Sequence, residues 1–130
     1  MAAQLDNVFQ QIRRVVLMQD GAELLVSAFR DPDFGVMLSA GAGGTLTELL
    51  DDVVLVPAPV TRAAATTALR RLRVMRKAAD PPNALLDFLC RFSALSASAP
   101  WRRFVLEVNP VKWTKDEARA VDGLLIIEQP

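Results

Sequence analysis

Glu107 and Asn109 stand two apart in Phe104-Val105-Leu106-Glu107-Val108-Asn109. A strand there puts both polar side chains on one face and Val108 on the other. A hairpin turning at Lys115-Asp116 would set Asp122 across from Asn109, so three oxygen-bearing side chains would converge. Such a set suits Mg2+, a hard cation that takes a few protein oxygens and fills its other sites with water and substrate phosphate. The plainer alternative is that Asn109-Pro110 opens a turn and Asp122-Gly123 closes a strand.

A second candidate is the glycine run Gly41-Ala42-Gly43-Gly44, with Glu48 behind it. Successive amides in a tight glycine turn can form an anion-binding nest, and glycine lets a phosphate approach closely. The same glycines can equally just close a strand, and neither a Walker A nor a Rossmann pattern is present. Asp31-Pro32-Asp33-Phe34-Gly35 offers carboxylates, but its order already suits a type I turn. Arg70, Arg71, Arg73, Arg76 and Lys77 could meet phosphate or form a solvated helix face. Cys90 reads as a small core residue, and Trp101 and Trp113 read as packing groups rather than base-stacking ones.

The chain has no histidine, which removes Ser-His and Cys-His nucleophile pairs and the commonest general base. Chemistry must fall to carboxylates, amides, lysine or arginine. Its 130 residues, 52% of them hydrophobic, suit a single domain spanning 1–130. Fifteen basic against fifteen acidic side chains leave no general field for nucleic acid or a membrane surface, so neither is expected as a partner. One cysteine, no bilayer-length apolar run and no signal-like start in residues 1–11 predict a cytoplasmic protein.

These groups need elements to position them. Residues 7–18 read as a short helix or loop feeding a buried strand, and Glu23 to Arg30 as a strand that turns at Asp31-Pro32. Val36 to Ala40 would return as its partner, and Val53-Val54-Leu55-Val56 would form a buried strand closed by Pro57 and Pro59. Thr61 would cap a helix running to about residue 77, with Ala65, Leu69, Leu72 and Met75 inward. After Asp80-Pro81-Pro82-Asn83 a second helix would bury Leu85, Leu89, Phe92 and Leu95. The last 30 residues return to strand. The order predicts an α+β fold, a mostly antiparallel sheet with two helices.

Taken in order, Gly21-Ala22-Glu23, Arg30-Asp31-Pro32-Asp33-Phe34-Gly35, Gly41-Ala42-Gly43-Gly44 with Glu48 and Asp52, Pro59, Glu107-Val108-Asn109-Pro110 and Ala120-Val121-Asp122 resemble one family. It is the carboxyl-terminal ATP-grasp segment of ADP-forming acetyl-CoA and acyl-CoA synthetases; the succinyl-CoA synthetase β chain is similar at the last two motifs. The resemblance covers roughly residues 15 to 127. It implies an ATP-grasp carboxyl-terminal lobe with ATP or ADP and Mg2+ as cofactors. It also implies Asn109 and Asp122 as metal ligands, Glu107 as the catalytic group facing the phosphoryl in transit, and Gly41, Gly43, Gly44 and Glu48 on the nucleotide side. The family's glycine-arginine-glycine loop is here Arg73 to Asp80 without glycine, and Val36 replaces its proline.

The resemblance further implies a lobe that is incomplete alone, with an adenine nucleotide and the remaining lobe or subunit of a synthetase as partners. Self-association through the uncovered face is a further expectation. Two functions follow: the nucleotide- and Mg-binding lobe of an acid-thiol ligase, or a non-catalytic interaction or regulatory module that keeps the fold.

Overall fold

The computed structural model describes residues 22–42, 52–75 and 80–128. Strands β1 (Ala22–Asp31) and β2 (Gly35–Ala42) form a hairpin. Its turn is held by the Asp31 carboxylate, whose Oδ1 accepts the N–H of Asp33 at 2.8 Å and of Phe34 at 3.0 Å. Gly35 follows at φ 76°, a left-handed conformation that glycine takes without steric cost. The Asp31 carboxylate therefore has a turn-forming role.

Next come β3 (Val53–Pro57), α1 (Arg62–Arg71), a 3-10 turn (Arg73–Met75) and α2 (Asn83–Ala97). Strands β4 (Arg103–Trp113), β5 (Ala118–Ala120) and β6 (Gly123–Glu128) complete the chain. The sheet is six-stranded and antiparallel, in the order β3-β2-β1-β4-β5, with β6 also paired to β4. The predicted α+β class is the observed one, with two α-helices among the described residues.

Alternation gives the sheet one buried face. Leu24, Val26 and Ala28 of β1, Val36, Leu38 and Ala40 of β2, and Phe104, Val108 and Val111 of β4 share a core with Leu69 of α1, Leu72 just past its end, and Leu85 and Leu89 of α2. Leu95, expected inward, is 68% exposed, because α2 turns its Leu85-Leu89-Phe92 stripe to the sheet and Leu95 falls outside it. Ser93 and Ser96 take buried places instead. Ser93 Oγ accepts the Val60 N–H at 2.9 Å and donates to the Cys90 carbonyl at 3.0 Å, while Ser96 donates to the Phe92 carbonyl at 2.7 Å. Cys90 packs against the core.

The Thr61 hydroxyl accepts the Ala64 N–H at 3.1 Å and starts α1 as a cap. The helix ends at Arg71 rather than near residue 77, with Leu72 extended at φ −72°, ψ 133°. Helix propensity favours continuation through Arg73-Val74-Met75. Tertiary contact overrides it: the buried Asp52 carboxylate accepts the N–H of Arg73 at 2.8 Å and of Val74 at 3.0 Å. At the other end of the sheet, Arg30 donates to the carbonyls of Trp101 (3.0 Å) and Ala99 (2.9 Å) and lies 5.7 Å from the centre of the Phe104 ring, tying β1 to the α2–β4 link. Among the described residues no helix is long and apolar enough to cross a membrane.

Candidate functional site

The sheet's other face carries the polar groups. On β4, Val108 is buried, while Glu107 is half-buried on the opposite side and Asn109 is exposed there. Glu107 stands between Ser27 of β1 and Leu124 of β6, and Ser27 in turn stands beside Ser39 of β2. A polar line thus crosses the middle of this face among apolar side chains that include Leu25, Phe29, Val105 and Ile126.

The hairpin register is the one expected: Val108 faces Gly123 on one side of the break in the partner strand, and Val111 faces Ala120 on the other. Between them the Asn109 N–H donates to the Asp122 carbonyl and the Val121 N–H to the Pro110 carbonyl, both at 3.0 Å. Asp122 therefore stands opposite Asn109. Its Oδ1 accepts the N–H of Gly123 at 2.8 Å, which orients the carboxylate. Glu107, Asn109 and Asp122 are brought to one part of the sheet, with two carboxylates and one amide among them.

Toward β1 the ladder is irregular. Leu24 faces Val111 and Val26 faces Val108, so Asn109 and Pro110 together oppose Leu25 in a bulge. Pro110 has no N–H to donate, so this is where the ladder can best lose a bond. Beyond the bulge, Val111 and Trp113 face the core, and Lys112 between them faces the same side as Asn109. Glu23 of β1 and Arg119 of β5 stand on either side of Lys112. Sequence reasoning did not find Lys112, because residues three apart on a regular strand point to opposite faces.

Gly41 and Ala42 lie inside β2 rather than in a loop. A Cβ on Gly41 would sit 2.8 Å from the Asp52 carbonyl and 2.9 Å from Val53 Cγ2, so β3's close approach explains this glycine. Gly43, Gly44, Glu48 and residues 7–18 lie outside the described residues. Of the arginine run, Arg70 pairs with Asp80 on the surface, and Arg76 and Lys77 also lie outside the description. Among the described residues no group of three or more His, Cys, Asp or Glu side chains forms a metal cluster; Asn109 is what makes the set at Asp122 larger than two carboxylates.

Comparison with known proteins gives the family of the domain. The ATP-grasp domain profile matches residues 2–127. Acetate–CoA ligase [ADP-forming] I of Archaeoglobus fulgidus is 34% identical over 119 residues, covering 85% of this chain and 17% of that protein. The β subunit of the Pyrococcus furiosus acetate–CoA ligase [ADP-forming] I is 31% identical over 114 residues, 82% of this chain and 49% of that subunit. Among solved structures, the dinucleotide forming acetyl-coenzyme A synthetase 1 of Ca. Korarchaeum cryptofilum, in complex with coenzyme A and Mg-AMPPCP, superposes with a TM-score of 0.73 at 25% identity. That match covers 83% of this chain and 54% of the other. This chain spans about half or less of the length of these relatives.

Proposed function

The chain belongs to the ATP-grasp domain family, and from that premise we propose that it supplies the nucleotide- and Mg2+-binding lobe of an ADP-forming acyl-CoA synthetase. One observation supports the reading: the backbone register brings Asn109 opposite Asp122, two residues along β4 from Glu107, on the side of the sheet away from the described helices. The donors fit the ion, since carboxylate and amide oxygens are hard ligands and two of them leave room for water and phosphate. Mg2+, when bound, supplies neutralisation of phosphate charge.

The chain's own residues do the rest. Asn109 of β4 and Asp122, in the link between β5 and β6, would hold the cation, and the backbone bond between them ties their positions together. Glu107 sits further into the sheet beside Ser27, where by the family resemblance it would face the phosphoryl group being moved. The family resemblance alone assigns Gly43, Gly44 and Glu48 to the nucleotide side, while Gly41 lies in β2 and admits β3. Phosphoryl transfer depends on several charged elements acting at once. The greater length of the relatives supports a clamp completed by a further lobe or subunit, so the isolated chain is expected to show no acyl-CoA-dependent ATP synthesis.

Calorimetric titration of the chain with ATP or ADP, with and without Mg2+, tests the reading. Weak binding is expected, with a dissociation constant on the order of a millimolar, about 4 kcal/mol, strengthened by Mg2+. Asp122→Asn keeps the shape and removes the charge, so it should abolish the metal-dependent part and leave the fold intact. Equal binding by variant and wild type leaves Asp122 as a strand-end residue and sinks the proposal.

A further inference from the structure

Lys112 has features that neither folding nor the proposed metal ligands explain. It lies on β4, which is paired on both sides, so it is not a lysine guarding an exposed sheet edge. It is half-buried, yet among the described residues it has no ion pair and no side-chain hydrogen bond, although Glu23 stands next to it across the strands. The bulge at Asn109-Pro110 turns it to the same face as Glu107, Asn109 and Asp122. Arg119 stands on its other side, also without an ion pair among the described residues.

Charge on this face falls into two groups. Glu107 and Asp122 supply negative charge in the middle, and Lys112 with Arg119, beside the Glu23 carboxylate, supplies positive charge about two residue steps from the Asn109–Asp122 pair, roughly 7 Å along the strands, and about four steps from Glu107. A polyphosphate bridging a cation on one side and an ammonium on the other satisfies both halves. We propose that Lys112, seconded by Arg119, is a phosphate-binding subsite that receives the polyphosphate of a nucleoside di- or triphosphate whose other oxygens meet the cation at Asn109 and Asp122. This rests on the nucleotide-binding reading above and adds a residue that reads phosphate number. Arg119 also borders the groove between α2 and the β4–β5 turn, so the larger effect is assigned to Lys112.

The test uses the whole chain and calorimetric titration with Mg-ATP, Mg-ADP, AMP and inorganic tripolyphosphate. Lys112→Met should weaken Mg-ATP, Mg-ADP and tripolyphosphate by roughly three- to tenfold, the effect of one partly exposed charge-assisted contact, while changing AMP far less. Its binding should also fall less steeply with added salt. Lys112→Arg should keep most of the affinity, and Arg119→Met should give a smaller loss in the same order of ligands. Melting curves of all variants control for folding. Equal weakening across the four ligands, or none, overturns the subsite. If Lys112→Met binds as wild type while Asp122→Asn loses its Mg2+ dependence, the subsite falls and the metal site stands; wild type that binds no nucleotide overturns both.

Discussion

Leu24→Ala should destabilise the chain by about 2–5 kcal/mol, the cost of emptying a fully buried leucine site whose surroundings collapse only in part. Leu24 faces Val111 on β4 and Ala42 on β2, directly beneath the bulge that aims Asn109 and Lys112. The neighbouring Leu25 points to the other face and is half-buried, so Leu25→Ala should cost under about 1 kcal/mol. Urea titration followed by circular dichroism measures both. Similar midpoints for the two variants would contradict the assignment of faces on β1, because a one-residue slip exchanges every side chain.

Asp52→Ala should be the next largest loss, about 2–3 kcal/mol, since hydrogen bonds to an ionised acceptor contribute more than neutral ones. Asp52 is 6% exposed, and its two oxygens take the amides of Arg73 and Val74 while its carbonyl accepts the Ala42 N–H at 3.0 Å. Arg73 and Val74 are themselves exposed, so water recovers part of the loss and the figure stays below that for two fully buried bonds. Asp52→Asn should recover little, because its amide nitrogen would face an N–H. Hydrogen exchange adds a local readout: the Arg73 and Val74 amides should lose protection in Asp52→Ala. Unchanged protection there would show that α1 stops for a reason other than this clasp.

The helix end shows where local reasoning stops. Alanine, leucine and arginine through residues 62–77 carry high helix propensity, and nothing local in Arg73-Val74-Met75 argues for a break. The break comes from Asp52, distant in sequence and buried only once β3 and α1 pack. Leu95 is a milder case, since helical spacing marks a stripe but does not say how far round the helix the sheet reaches.

What the sequence by itself determined was the order of strands and helices, the turn at Asp31, the cap at Thr61 and the facing of Asn109 by Asp122. These are local: alternation, turn chemistry and hairpin register depend on residues close along the chain. Only the tertiary structure decided that Gly41 makes room for β3, that Asp52 ends α1, and that Lys112 joins Asn109 on the free face. Each of these depends on a partner element far away in sequence. The last depends on one additional residue of β4 against β1, which reverses the facing of everything beyond it and which strand periodicity alone cannot register.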